Sequence, residues 1–142
     1  MDSREGWFRC VCATAVGHVW AALSEDRGEW RLMAPAHSHD HYEETVSGIE
    51  GVLTWTVDGK LIDMGPGQAL CIPRGAVHRF DNNGTEDVKG LCVITPAAIG
   101  PQYFREAAEV ASAAGGGPPD RAKMVEIMRR HGLTPAPTPP QA

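Results

Sequence analysis

The chain has 142 residues, of which 42% are hydrophobic, which is enough for one compact domain with a buried core. Its 13 Lys and Arg against 18 Asp and Glu give a net charge of −5, which argues against a nucleic-acid-binding protein with a basic face. No apolar run approaches the roughly 18 residues of a membrane helix, and the N-terminal residues lack the pattern of a signal peptide. We therefore expect a cytoplasmic protein with neither nucleic acid nor membrane as a partner.

Short extended segments separated by turn residues fill the first two thirds of the chain. Asp58-Gly59 is a two-residue hairpin signal, and Gly65-Pro66-Gly67 marks a further turn. Several short strands with regularly spaced turns predict an antiparallel sandwich or barrel. The predicted strands are 16–23, 30–33, 49–57, 60–64, 69–72, 77–80 and 88–95.

Beyond Pro96 the pattern changes to that of two amphipathic helices. Pro101 suits the first turn of a helix that Gly115–Gly117 would end. A second helix begins near Asp120 and ends at Gly132, after three basic residues that favour its negative C-terminal end. We predict a β-barrel over residues 1–100, a helical extension over 101–133 and a Pro-rich disordered tail over 134–142.

Two segments are rich in metal-ligand residue types. In the stretch HSHDHYEE, His37 and His39 point to the same side of a strand, and Glu44 follows across a turn or bulge. Imidazoles and carboxylates together suit divalent transition metals. Gly51 stands seven residues after Glu44. A second segment adds His78 as a fourth candidate ligand, together with regularly placed turn residues. This second segment contains Gly67, Pro73, Gly75, His78 and Asn82.

The two segments together resemble the two motifs of the cupin superfamily, G(x)5HxH(x)3–4E(x)6G and G(x)5PxG(x)2H(x)3N. One position departs from the pattern, because Arg31 stands where the first glycine is expected. The resemblance covers residues 30 to 95 and implies an all-β double-stranded β-helix, or jelly-roll barrel, that carries the helices as a short C-terminal extension. It also implies a homodimer and one divalent metal, held by His37, His39, Glu44 and His78.

The metal and its carboxylate ligand each have alternatives. Fe²⁺ is favoured, and Mn²⁺, Co²⁺, Ni²⁺, Cu²⁺ and Zn²⁺ also suit three imidazoles and a carboxylate. Glu43 is the alternative carboxylate, but Glu44 has the spacing typical of the superfamily. Some members of the superfamily have lost the metal and only bind ligands or act as scaffolds. Those usually lack one or more ligands, whereas this chain keeps all four.

The candidate catalytic residues are Glu44, His41 and Tyr42. His41 shares the side of His39 if the strand continues, and would then be a proton carrier; the alternative is a solvated loop histidine. Tyr42 would donate a hydrogen bond to substrate, or simply pack. The resemblance implies a dioxygenase similar to the quercetinases, acting on a small substrate that chelates through oxygen. Alternatives are an isomerase, lyase or decarboxylase with the metal as Lewis acid, or a non-enzymatic small-molecule binder.

Overall fold

The structure is a computed structural model and describes residues 20–26, 35–86, 88–115 and 119–137. Strands follow one another to residue 95, and two helices and a last short strand follow them. The strands are β1 (Trp20–Asp26), β2 (His37–His39), β3 (Glu43–Glu50), β4 (Leu53–Val57), β5 (Lys60–Met64), β6 (Ala69–Ile72), β7 (His78–Asp81), β8 (Val88–Thr95) and β9 (Leu133–Pro135); the helices are α1 (Pro101–Ala113) and α2 (Arg121–Arg130).

The strands form two antiparallel sheets. One has the order β1-β8-β3-β6 and the other the order β5-β4-β7-β2-β9. Buried apolar side chains from both sheets meet between them, which is how a sandwich or jelly-roll removes its inner faces from water. This core contains Val46, Leu53, Trp55, Met64, Ile72, Ala76 and Val88. The predicted all-β jelly-roll class with a C-terminal helical extension is confirmed.

The hairpin predicted at Asp58-Gly59 joins β4 to β5. Both residues have positive φ, 46° and 78°, as a type I′ turn requires. The Asp58 carboxylate also accepts a hydrogen bond from the Val77 backbone N–H at 2.9 Å, which ties this turn to the segment before β7.

The predicted strand 49–57 is divided in the structure. β3 runs to Glu50, and Gly51 then adopts φ 69°, a left-handed conformation that interrupts the strand before β4 begins at Leu53. Near the N-terminus, β1 continues to Asp26, three residues beyond the predicted end. Residues 16–19 and the predicted strand 30–33 lie outside the described residues.

The two helices occupy the positions predicted from the sequence. They cover a second apolar cluster, in which buried Met128 of α2 packs with residues of the barrel. The other buried members of this cluster are Tyr42, Ile94, Ile99 and Leu133. Neither helix is long and apolar enough to cross a membrane, within the part of the chain that the structure describes.

The segment after α2 differs from the disordered tail predicted to begin at residue 134. Thr134 and Pro135 belong to β9, which pairs with β2 at the edge of the five-stranded sheet. Prolines are tolerated on an edge strand, because the missing N–H leaves no ladder bond unmade on the solvent side. Composition alone does not show this pairing, and residues 138–142 lie outside the described part of the chain.

Candidate metal centre

Three histidines converge inside the five-stranded sheet. His37 and His39 are the first and last residues of β2, and His78 begins β7, directly opposite His37. Their ring centroids are 4.5 to 4.8 Å apart. One ring nitrogen of each histidine lies within 4.8 Å of the corresponding nitrogens of the other two. All three side chains are buried, with 7%, 3% and 2% exposure. The structure thus brings together three candidate ligands from two segments about forty residues apart.

The turn before β7 delivers His78 to the cluster. Gly75 has φ 77°, a left-handed conformation that glycine adopts at little cost, and its N–H donates to the His39 carbonyl oxygen at 2.8 Å. The turn is closed by the Ala76 N–H, which donates to the Pro73 carbonyl at 3.2 Å. The proline and glycine of the second motif therefore connect the two ligand segments directly through the backbone.

Backbone carbonyls orient two of the imidazoles. Nδ1 of His37 lies 2.7 Å from the Pro35 carbonyl oxygen, and Nδ1 of His78 lies 3.0 Å from that of Ala76. A carbonyl can only accept, so each Nδ1 carries the proton and each Nε2 keeps its lone pair, as in metal-bound histidines. His78 Nε2 is fully buried and has no hydrogen-bond partner among the described residues. A metal ion would satisfy this atom.

The imidazoles of His37 and His39 are held in the neutral state that metal binding requires. Burial, together with the neighbouring His78, lowers the pKa of His37 to about 4, against the opposing effect of the Pro35 carbonyl and Glu44. Burial lowers the pKa of His39 to about 3, despite the opposing charge of Glu44. At neutral pH these rings therefore present lone pairs without having to lose a proton.

Glu44, and not Glu43, lies beside the imidazoles. Its Oε2 is 3.3 Å from His78 Nε2 and 3.7 Å from His39 Nδ1, and its side chain is 12% exposed. Burial raises the pKa of this carboxyl, but interactions with His78, Cys92 and His39 outweigh burial and lower it below its ordinary value. Glu43 is exposed on the other side of β3 and pairs with Arg74, with 3.5 Å between the Arg74 Nε and the carboxylate.

Tyr42 and His41 have different surroundings, although they are adjacent in the turn before β3. Tyr42 is 1% exposed, and its ring stacks on that of His39 with 4.2 Å between centroids. Its hydroxyl has no hydrogen-bond partner within the described ranges. Burial, followed by the charge of Glu44, raises its pKa, so the phenol stays protonated. His41 is exposed, and the structure does not bring it into the cluster.

Sequence reasoning missed one neighbour of the site. Cys92 belongs to neither motif, but its Sγ donates to Glu44 Oε1 at 2.8 Å. Cys92 lies opposite Val46, which is two residues from Glu44 on β3 and therefore on the same side of the strand. Alternation along the strands could have indicated this contact only with the register of β8 against β3 already known.

The donor set fits a divalent transition metal. Three imidazoles and one carboxylate satisfy the preferences of such an ion, and fewer than six protein ligands leave positions open in an octahedral site. Without an ion, His78 Nε2 would be buried with no hydrogen-bond partner among the described residues, which is costly. Residues His37, His39 and His78, with Glu44 beside them, therefore form a candidate metal centre.

Residues 31–94 match the sequence profile of the family described as "Cupin domain". Quercetin 2,3-dioxygenase of Bacillus subtilis is 35% identical over 71 residues, which are 49% of this chain and 20% of that protein. Polyketide synthase CurC of Streptomyces cyaneus is 35% identical over 65 residues, which are 46% of this chain and 42% of that protein. In both cases the chain spans less than half of the length of the relative.

The fold also has counterparts among solved structures. A Klebsiella pneumoniae protein with a double-stranded β-helix domain superimposes with a TM-score of 0.57 at 18% identity, covering 70% of this chain and 81% of that chain. The family profile spans the segment that carries both motifs, so residues 31–94 are similar to a cupin domain, and the solved structure shares the fold.

Proposed function

We propose that this protein is a metal-dependent oxidoreductase of the dioxygenase type, acting on a small organic substrate that chelates the metal through oxygen. The observation that carries the proposal is the cluster of three buried imidazoles, with the Glu44 carboxylate beside two of them, His39 and His78. The 35% identity with a quercetin dioxygenase over 71 residues supports this reaction class. Fe²⁺ is the metal that we favour for such chemistry.

His37, His39, His78 and Glu44 would hold the ion. When bound, the ion supplies a Lewis-acidic centre and, in the case of iron, one-electron redox chemistry. The protein contributes the orientation of its ligands through the Pro35 and Ala76 carbonyls, and a buried setting in which the charge of an enolate interacts strongly with its surroundings.

Glu44 and Tyr42 would handle protons in this site. Glu44 is ionised at neutral pH because its pKa is lowered, so its carboxylate can accept the proton of a substrate hydroxyl. The Tyr42 hydroxyl stays protonated and has no partner within the described residues, so it can donate to a substrate oxygen. His41 is exposed and receives no step, and its assignment as a proton carrier stays a prediction.

The test is anaerobic reconstitution with each of Fe²⁺, Mn²⁺, Co²⁺, Ni²⁺, Cu²⁺ and Zn²⁺, followed by oxygen-uptake measurements with flavonols and β-diketones. We expect uptake that depends on the metal and is abolished in His78→Ala. Glu44→Gln should lose most of it, whereas Glu43→Gln is a matched control because the same chemical change is made on the exposed neighbour.

Three outcomes separate the reaction classes. Product formation without oxygen uptake would replace the dioxygenase with an isomerase, lyase or decarboxylase that uses the metal as a Lewis acid. Thermal stabilisation by a metabolite with no product would indicate a binding protein. Absence of uptake with every metal and substrate would remove the dioxygenase proposal.

The homodimer expected from the superfamily stays a prediction, and light scattering of the 15.3 kDa chain tests it.

A further inference from the structure

β2, which carries His37 and His39, has only three residues. More of its residues pair with the C-terminal strand β9 than with β7. On the β7 side, β2 is joined by a single residue pair, His37 with His78, and by the Gly75 N–H bond to His39. On the other side it is paired along its whole length with β9. These pairs are His37 with Pro135, Ser38 with Thr134 and His39 with Leu133.

Two further hydrogen bonds flank the ligand strand. The Ala136 N–H donates to the Ala36 carbonyl at 2.7 Å, directly before β2, and the Thr134 hydroxyl donates to Asp40 Oδ2 at 3.0 Å, directly after it. The Pro35 carbonyl, which orients the His37 ring, is only one residue before Ala36. The two ends of the ligand strand are therefore tied to residues 100 positions (Ala36 to Ala136) and 94 positions (Asp40 to Thr134) later in the chain.

The C-terminal strand is itself firmly placed. Leu133 is 3% exposed and lies in the second apolar cluster with Met128 of α2, which is completely buried. Tyr42 belongs to the same cluster and stacks on the ring of His39. The extension therefore contacts the ligand strand through its backbone and reaches a ligand ring through Tyr42.

We infer that residues 133–136, which we name the C-terminal clasp, position the ligand strand, so that metal affinity depends on a segment that contains no ligand. Without its pairing to the C-terminal clasp, the three-residue strand β2 would sample more conformations. Metal binding would then have to order β2, and this loss of conformational entropy would lower the metal affinity. Groups that orient metal ligands typically contribute tenfold or more to metal affinity. The inference rests on the metal centre of the proposed function but not on dioxygenase chemistry.

Ala136→Pro is the sharpest test. It removes the N–H that donates to Ala36. Residue 136 already precedes Pro137 and follows Pro135, so its backbone is already biased toward the extended conformation and little else should change. Ala136→Ser keeps the N–H and is the matched control. Truncation after Gly132 removes the whole clasp, and truncation after Pro137 leaves it intact.

Two readouts are needed: the dissociation constant for Co²⁺, measured by absorption titration, and hydrogen exchange of the metal-free protein. We expect truncation after Gly132 to raise the dissociation constant about 10–100-fold. Ala136→Pro should raise it about 2–10-fold, as the loss of one hydrogen bond implies. In an antiparallel pair, hydrogen-bonded and non-hydrogen-bonded residue pairs alternate. Ala36 with Ala136 is hydrogen-bonded, so Ser38 with Thr134, two residues further along β2, is the next such pair. The Ser38 amide should therefore exchange faster in both variants. Both controls should match the unmodified chain.

The inference is overturned if Ala136→Pro is folded and keeps both the Co²⁺ affinity and the Ser38 exchange rate of Ala136→Ser. Should truncation after Gly132 unfold the protein, as near-UV circular dichroism would show, Ala136→Pro alone decides. If the unmodified chain does not bind Co²⁺, the metal centre fails and with it the proposed function. The exchange rate of Ser38 in the metal-free protein then still tests whether the clasp holds β2.

Discussion

The thiol of Cys92 donates a hydrogen bond to Oε1 of Glu44 at 2.8 Å, while Oε2 of the same carboxylate faces His39 and His78. The residues are 48 positions apart and lie on adjacent strands, β3 and β8. One oxygen is thus engaged by the protein and the other is directed at the candidate metal centre. Cys92 is therefore a positioning residue for the carboxylate.

Replacing Cys92 should weaken metal binding although it is not one of the predicted ligands. Cys92→Val removes the S–H donor with little change in volume, and we expect the Co²⁺ dissociation constant to rise about tenfold. Cys92→Ser keeps a donor at the same place and should restore much of the affinity. Titration followed by the visible absorption of bound Co²⁺ measures both. Equal affinity in the valine variant and the unmodified chain would contradict the positioning role.

The metal-free protein should lose stability as the pH falls from 6.5 toward 4. Burial lowers the pKa of His37 to about 4 and that of His39 to about 3, whereas both titrate near 6.5 when the chain is unfolded. Over this range the unfolded state binds more protons than the folded state, so the free energy of unfolding decreases by up to about 1.4 kcal/mol per pH unit for each histidine. The lowered pKa of Glu44 acts in the same direction at more acidic pH.

Urea denaturation at half-unit pH intervals measures this slope. The variant His37→Gln should have a smaller slope, because one of the two groups no longer titrates. A free energy of unfolding that stays constant between pH 6.5 and 4.5 would contradict the buried, neutral state of the imidazoles.

Asp120 should contribute to stability as the N-cap of α2. Its Oδ1 accepts hydrogen bonds from the backbone N–H groups of Ala122 and Lys123 at 3.0 and 3.2 Å. We expect Asp120→Ala to lower the free energy of unfolding by about 1 kcal/mol, and Asp120→Asn to be close to neutral because asparagine caps equally well. Urea denaturation distinguishes the two. If the asparagine variant lost as much as the alanine variant, the charge and not the cap would be responsible.

Gly48 should tolerate no side chain, unlike Gly90 on the neighbouring strand. A Cβ at Gly48 would collide with the Gly65 carbonyl, and the backbone there is held by bonds from the Gly48 N–H to the Gln68 carbonyl and from the Gly67 N–H to the Gly48 carbonyl. We expect Gly48→Ala to cost roughly 1–3 kcal/mol, as overpacking generally does. At Gly90 the nearest atom would be the Ser47 carbonyl oxygen at 3.5 Å, an ordinary contact. Thermal and urea denaturation should therefore show a smaller loss for Gly90→Ala, and an equal loss would argue against the clash.

Much of the fold could be read from local patterns. The hairpin at Asp58-Gly59 and the two helices need only neighbouring residues to be specified, since turn chemistry and apolar periodicity act over a few positions. The predicted strand 49–57 runs across Gly51, because a glycine within an apolar extended run does not show from its neighbours that it adopts φ 69° and ends the strand there. The pairing of Pro135 with His37 was missed for a similar reason, since a Pro-rich tail has the composition of a disordered segment.

The sequence by itself determined the resemblance to the cupin superfamily and the residue types that can bind a metal, because histidine, glutamate, proline and glycine stand at spacings that a strand and a tight turn convert into convergent side chains. Only the tertiary structure decided that Glu44 faces the imidazoles while Glu43 pairs with Arg74, that Cys92 binds the carboxylate, and that the C-terminal clasp holds the ligand strand. These three features depend on which strands become neighbours and in which register. Register is a property of the packed barrel, since shifting a strand by one residue moves every side chain to the opposite face.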